Sequence, residues 1–537
     1  MPPSGSVEAL RDALSDPAVY PHDPERVDLV QTHISLVALV PPWVYKVKKP
    51  LDLGFLDFAT LAARKDACDA EVRLNQRLCT DVYQAVVPIV DTPDGLRVDP
   101  PGGLAEDTPG DAVVEYAVKM RYLNPEGFLH NRLADGDVTP ATLDRVANTL
   151  ADFYAERTST PAIAEEGWIE RLRVSTDENF EQTEALVGDV LPRPTYDALR
   201  RYTDRFYTRH AALLHRRRAG GSFIDGHGDL RLEHIHCTAD RLCIYDCIEF
   251  NERFRYLDVA NDVAFLAMDL DVQGRPDLSR HFVARMQEVL DDPDLATLLP
   301  FYKSYRAYVR GKVEGMRAAE DEVPASERLK SQAQARRFYQ WALRYAVCGP
   351  DPLVIVVMGR SGTGKSTQAS ALARCLGWTH VSSDRVRKTR AEVPLHIRPD
   401  ATTRERLYSA EMTAATYATL RERAVARARQ HQSTVLDATF SRFDARERLR
   451  AALKAEAVPY VFVELTADDS TLRNRLSKRT GEATVSDARE EDFEMLSQRY
   501  QAPEALEDAR HVRIPTDDGV EATTTAILDA LIALSGR

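Results

Sequence analysis

Gly359-Arg360-Ser361-Gly362-Thr363-Gly364-Lys365-Ser366 decides the reading of the C-terminal third of this chain, because an apolar run, Leu353 to Met358, leads into it and an alanine-rich helical pattern leads out. The order predicts a buried strand, a glycine-rich turn and a helix. Such a turn lets backbone N–H groups converge on phosphate oxygens, with the positive end of the helix dipole behind them. Lys365 is then placed for the β- and γ-phosphates and the Ser366 hydroxyl for Mg²⁺. The expected ligand is ATP with Mg²⁺.

Upstream of that stretch, Val347-Cys348-Gly349-Pro350-Asp351-Pro352 stops a helical pattern and marks a boundary between domains 1–346 and 347–537. Downstream, strand and helix patterns alternate, which predicts a parallel sheet flanked by helices. The second strand, Trp378 to Val381, runs into Ser382-Ser383-Asp384-Arg385. Ligands bind at such strand ends, so Asp384 is a candidate base for an acceptor hydroxyl, with Arg385 or Arg387 beside it for an anionic acceptor. The alternative for Asp384 is a helix N-cap. Ser433 to Asp437 is an apolar strand ending in a carboxylate suited to a Mg²⁺ water shell. After the strand Val461 to Leu465, Arg475 and Arg479 lie four apart on one helical face, as lid arginines or as a solvated surface.

With 537 residues the chain is long enough for several domains, and 44% apolar with 28% charged residues is a globular composition. No stretch is apolar enough for a membrane span, and Met1 to Asp23 has no leader pattern, so the expectation is a cytoplasmic protein with no membrane partner. The net charge of −13 is uneven: residues 351–537 hold 28 Lys+Arg against 27 Asp+Glu, and residues 1–350 hold 42 against 56. The acidic N-terminal part argues against long duplex nucleic acid as its partner. Seven cysteines do not predict a disulfide framework, and Cys237, Cys243 and Cys247 lack paired zinc-knuckle spacing, so they read as buried small side chains.

Two strands, Thr32 to Val40 and Val44 to Lys48, flank Pro41-Pro42, and alternation puts Lys46 and Lys48 on one face. A helix from Thr60 to Leu78 contains Glu71. A strand lysine held by a helix glutamate is one way to grip α- and β-phosphates. After further strands and a long helical region come His227-Gly228-Asp229-Leu230-Arg231-Leu232-Glu233-His234, and then the strand Leu242 to Tyr245 with Asp246 after it. Asp229 is a candidate base for a substrate hydroxyl, and Asp246 a candidate Mg²⁺ ligand.

On these residues, about 25 to 340 resemble the aminoglycoside phosphotransferases and related small-molecule kinases, which share the protein-kinase-like fold. The resemblance implies an α+β two-lobed domain. It also implies that Asp258 ties down the catalytic loop and that position 234 ligates metal. Two features depart from the family: His234 stands where it places Asn, and no glycine-rich turn covers the phosphates near Thr32 to Ser35. Residues 350–537 resemble P-loop kinases of the zeta-toxin, gluconate-kinase and polynucleotide-kinase type, an α/β fold.

The reading that unites these features is a two-domain ATP-dependent phosphotransferase, a kinase acting on a hydroxyl of a small molecule. A nucleic-acid 5′-hydroxyl is a less favoured acceptor for the C-terminal domain, since no basic groove with stacking aromatics is readable. A nucleotide-controlled switch with a pseudokinase N-terminal domain is the reading from another class. The acceptors and the oligomeric state are not encoded in any recognisable motif.

Overall fold

The computed structural model describes residues 7–54, 56–100, 113–397, 399–478, 490–503, 510–534 and 536. By packing, the chain divides into two compact units: Met1–Leu172 with Ala212–Leu299, and Arg173–Ala211 with Pro300–Arg537. The chain passes between them three times, each time within a helix: at Leu172 in the helix Ile169–Thr183, near a departure from helical geometry at His210, and beside Pro300. A proline in a helix interior removes one backbone donor and clashes with the preceding turn.

The first unit starts with an antiparallel sheet. Its described strands are β1 (Asp28–Gln31), β2 (Ser35–Val40), β3 (Trp43–Lys48), β4 (Tyr83–Thr92), β5 (Gly95–Val98) and β6 (Val113–Arg121), in the order β1-β2-β3-β6-β4-β5. Alternation in β3 sorts its side chains. Tyr45 and Val47 join Leu10, Leu14 and Val40 in one cluster, while Val44 packs with Cys68, Val118 and Met120 on the opposite side. Lys46 and Lys48 therefore share the Val44 face, toward the helix Leu61–Asn75, whose first turn is capped by the Thr60 side chain.

The rest of the unit is largely helical. Two small antiparallel ribbons carry its polar loops: β7 (Phe223–Asp225) pairs with β10 (Tyr256–Asp258), and β8 (Ile235–Cys237) with β9 (Leu242–Ile244). Cys79 and Cys243 form a disulfide, contrary to the expectation that these cysteines serve only as small apolar side chains. Their separation of 164 residues left no local spacing from which to read the pair.

In the second unit the described strands β11 (Val354–Gly359), β12 (Thr379–Ser382), β13 (Thr434–Asp437), β14 (Tyr460–Thr466) and β15 (Arg510–Pro515) form a parallel sheet, ordered β12-β13-β11-β14-β15. Its central strand β11 is buried and without a polar side chain throughout, as a strand covered on both faces requires. Helices Lys365–Leu376 and Gly519–Leu534 pack on it, and Val356, Leu436, Leu449 and Phe462 centre an apolar cluster. Among the described residues no helix is long and apolar enough to cross a membrane.

Asp258 corrects one expectation. Instead of tying down the His227–Asp229 loop it caps the helix Val259–Val272 and accepts two 2.7 Å bonds from Arg217, which also donates to Asp292 at 2.7 and 2.9 Å. Asp262, one turn further on, holds the loop. Its oxygens accept from the backbone N–H of His227 at 2.7 Å and of Gly228 at 2.9 Å. Burial opposes the charge on Arg217, but the two carboxylates outweigh it and hold the group far above its ordinary range. Arg217→Met leaves Asp258 buried without its partner, so we expect a loss of about 3–5 kcal/mol in the urea unfolding of the first unit.

Candidate active sites

The phosphate-loop geometry of the second unit follows from its glycines. Gly359 has φ of 141°, and a Cβ there would lie 2.4 Å from the Leu465 carbonyl oxygen, so the end of β11 tolerates no side chain beside β14. Inside the loop, Lys365 Nζ donates to the Arg360 carbonyl at 2.8 Å and Thr363 Oγ1 donates to the same oxygen at 2.9 Å. Gly362 and Gly364 take positive φ, and Ser361 completes the turn. The Arg360 guanidinium points elsewhere, to Asp469 and Ser497, each at 2.7 Å.

Three residues meet where β11, β12 and β13 end. Ser366 Oγ donates to Asp437 Oδ1 at 3.1 Å, and His380 Nε2 lies 2.5 Å from Asp437 Oδ2. Asp437 is buried, and with Ser366 it presents hard oxygen donors that suit Mg²⁺. Asp384 follows β12. Ser382 stands at the N-cap position of the helix Ser383–Arg390 without a side-chain capping bond, and Asp384 lies in the first turn, its Oδ1 accepting from Arg387 at 2.9 Å. The Arg387 guanidinium stacks over Tyr408, 4.6 Å from the ring centroid. Arg475 donates to Thr516 Oγ1 at 2.8 Å and to its carbonyl at 2.5 Å, which anchors its helix beside the end of β15. Arg479 lies outside the described residues.

In the first unit, buried charges of alternating sign run toward the His227–Asp229 loop. Lys48 bonds Glu249 and, at 2.7 Å, Glu71 Oε2; Glu71 Oε1 accepts from Lys46 at 2.8 Å; Lys46 reaches Asp246 Oδ1 at 2.7 Å. Burial works against the Lys46 charge, but Asp246 and then Glu71 prevail and hold it well above its ordinary range. Burial likewise opposes ionisation of Asp246, yet Lys46 and then His234 hold it well below the usual carboxylate range. Asp246 sits at φ of 61°, a left-handed conformation that Asp tolerates better than most residues.

Asp229 is also engaged. Its two oxygens accept from Arg231 Nε and Nη2, both at 3.0 Å. His234 Nδ1 must carry a proton, because it bonds the Asp229 carbonyl at 2.8 Å and a carbonyl only accepts. Its Nε2 is then the bare nitrogen, accepting from Arg231 Nη2 at 3.1 Å and lying 3.4 Å from Asp246 Oδ2. Asp246 fits a hard cation well. His234 offers a nitrogen donor already occupied by Arg231, a poorer fit.

Sequence reading singled out Lys46, Glu71, Asp229, Asp246 and His234, and the structure brings them together. It likewise gathers Lys365, Ser366 and Asp437 at the sheet edge, with Asp384 following the adjacent strand. Arg231, Glu249, Asp262 and His380 were missed, and Lys48 was noted on the Lys46 face without a role. Arg231 lies within a segment already singled out, so its position was the available signal. His380 lies in the strand Thr379–Ser382, whose mixed Thr-His-Val-Ser pattern gave no signal that singled it out.

A family model described as an AAA domain matches residues 354–503. Uncharacterized proteins of Mycobacterium tuberculosis (strain ATCC 25618 / H37Rv) and Mycobacterium bovis (strain ATCC BAA-935 / AF2122/97) are each 30% identical to this chain over 364 residues, covering 67% of it and 68% of their own length. Among solved structures, a gluconokinase from Sinorhizobium meliloti 1021 is 22% identical with a TM-score of 0.26, covering 35% of this chain and 94% of that one. Shikimate kinase from Aquifex aeolicus vf5 is 13% identical with a TM-score of 0.25, covering 34% and 98%.

Burial and then the Arg231 charge lower His234 to about 4. A neutral imidazole in the folded state and an ordinary one in the unfolded chain give full stability above pH 6.5, lost as pH falls toward 4. Relative to His234→Asn, the wild type should lose about 2 kcal/mol of unfolding free energy between pH 7 and pH 5. Parallel urea titrations of the two proteins at these pH values check this.

Proposed function

The chain belongs to the family of these uncharacterized mycobacterial proteins, and we propose that it is an ATP-dependent phosphotransferase whose second unit transfers the γ-phosphate to a hydroxyl of a small molecule. The observation that carries this reading is the convergence of the Gly359–Ser366 loop and Asp437 at one sheet edge, with Asp384 in the first turn of the helix that follows the neighbouring strand. Lys365 exchanges the Arg360 carbonyl for phosphate oxygens, and the backbone N–H groups of the loop neutralise the charge that develops. Ser366 and Asp437 would hold Mg²⁺, which supplies charge neutralisation at the β- and γ-phosphates when bound. Asp384 accepts the proton of the acceptor hydroxyl, with Arg387 fixing its carboxylate. Arg475, and Arg479 beyond it, belong to the segment proposed to cover the nucleotide.

For the first unit we propose nucleotide binding on an aminoglycoside-phosphotransferase-like plan. Lys46, fixed by Glu71, grips the α- and β-phosphates, and Asp246, with His234 beside it, would hold Mg²⁺. The chemical division of the chain falls at 346/347, and the protein acts in the cytoplasm. Both oxygens of Asp229 accept from Arg231, a cation that lowers their basicity toward an acceptor hydroxyl. That engagement favours a second reading for this unit, a nucleotide sensor in which Asp229 never acts as a base.

In the full chain, Lys365→Ala combined with Asp229→Ala should abolish transfer of labelled phosphate from ATP to a panel of sugars, nucleosides and aminoglycosides. Undiminished turnover in the double variant would sink the assignment. Asp384→Asn keeps the size and the acceptor oxygen while removing the base, so transfer by the second unit should fall about 10²–10⁴-fold with the melting temperature unchanged. Asp229→Ala alone separates the readings of the first unit. If that unit is a kinase, its share of transfer disappears while ATP binding remains in the Lys365→Ala background; if it is a sensor, neither changes. His234→Asn should steepen the Mg²⁺ dependence of ATP binding there.

A further inference from the structure

His380 stands partly buried on β12, the edge strand of the sheet. The register pairs His380 with Val435, Val381 with Leu436 and Ser382 with Asp437. Val381 and Leu436 point into the apolar cluster on one face of the sheet. Alternation sends His380, Val435 and Asp437 to the other face, the one covered by the helix that Lys365 begins. An apolar side chain would fill the space beside Val435. The imidazole instead extends along the strand and places Nε2 2.5 Å from Asp437 Oδ2.

The carboxylate of Asp437 is thereby divided between two partners, with Ser366 on Oδ1 at 3.1 Å and His380 on Oδ2. An aspartate carboxylate turns about a soft, roughly two-fold torsion, so one hydrogen bond fixes its position poorly and two on opposite oxygens fix it well. A charge-assisted bond this short is also stronger than a neutral one. Asp437 side-chain exposure is 3%, which leaves solvent little part in orienting it.

We propose that His380 is a positioning residue of the phosphate-loop site: by donating Nε2–H to Asp437 Oδ2 it keeps Oδ1 turned to Ser366, in the orientation the divalent ion requires. It touches neither nucleotide nor acceptor, and it acts only through Asp437. The inference rests on the reading of the loop as a nucleotide site. Partners that orient metal-binding carboxylates in this way are commonly worth 10–100-fold in metal affinity.

The test is calorimetric titration of the full chain with ADP across a Mg²⁺ series, following the component of binding that Lys365→Ala removes. His380→Phe preserves ring volume without the hydrogen bond and should raise the Mg²⁺ concentration for half-maximal effect on that component about 10–100-fold, leaving Mg²⁺-free ADP binding unchanged. His380→Gln offers an amide N–H where Nε2 stands and should restore most of the Mg²⁺ response. A structural role alone would lower the metal-free melting temperature in both variants and leave the Mg²⁺ response of the folded protein unmoved, which overturns the proposal. Should His380→Phe fail to fold, a Mg²⁺ response in His380→Gln as weak as in Asp437→Asn overturns it as well. A wild type without any ADP component sensitive to Lys365→Ala would instead fail the nucleotide-site reading, and the proposal with it.

Discussion

The parallel register of β13 between β11 and β12 is the constraint on which the second unit's site depends. It sets Asp437 opposite Val357 on one side and Ser382 on the other, so a single carboxylate lies beside both the glycine-rich loop and the turn that carries Asp384. A slip of one residue would send Asp437 into the apolar cluster that holds Leu436 and remove it from Ser366. The buried valines and leucines of the sheet therefore do more than stabilise it. Their alternation fixes which polar side chains can meet at its edge.

In the first unit the corresponding constraint is electrical. Glu249, Lys48, Glu71, Lys46 and Asp246 alternate in sign, and each charge is compensated by a neighbour at hydrogen-bond distance. Removing Lys48 would leave Glu249 buried without its cation, which costs more than the pair contributes. The chain also explains how Asp246 is kept at positive φ. Its backbone N–H donates to the Tyr83 hydroxyl at 3.2 Å, while the N–H of Cys247 donates to Asn75 at 2.8 Å. Asn75 ends the helix that carries Glu71, so one helix holds both the lysine's partner and the turn of the metal-facing carboxylate.

Much of this was legible in the sequence where local patterns carry it. Glycine spacing after an apolar run specifies the loop at Gly359, and period-two alternation puts Lys46 on the face that meets Glu71. Elements set by contacts between distant residues were not legible. Asp258 and Asp262 stand one helical turn apart, and only the packing of that helix decides that Asp262 meets the His227 and Gly228 amides while Asp258 meets Arg217. The Cys79–Cys243 pair and the His380–Asp437 bond are likewise products of tertiary placement. Asp384 was open between capping and chemistry. Ser382 takes the cap position, which leaves the carboxylate to Arg387.

On the functions proposed for them, the two units would approach phosphate by different physical means, and the difference has consequences in the ligand-free state. A glycine-rich loop relies on backbone N–H groups and a helix terminus, partial charges that are fixed in place and can be left facing water when no phosphate is present. Its one mobile cation, Lys365, rests on a carbonyl of the loop itself. The first unit relies on full side-chain charges, and a buried ammonium without an anion is too costly to leave uncompensated. Lys46 is accordingly shared by Glu71 and Asp246, and Arg231 is held by Asp229. On that reading a phosphate entering the first unit's site would compete with carboxylates already bonded to these cations, whereas one entering the loop would take the place of the Arg360 carbonyl on Lys365. The gain from binding would then be smaller in the first unit for the same count of contacts, and its response to nucleotide weaker and more readily reversed.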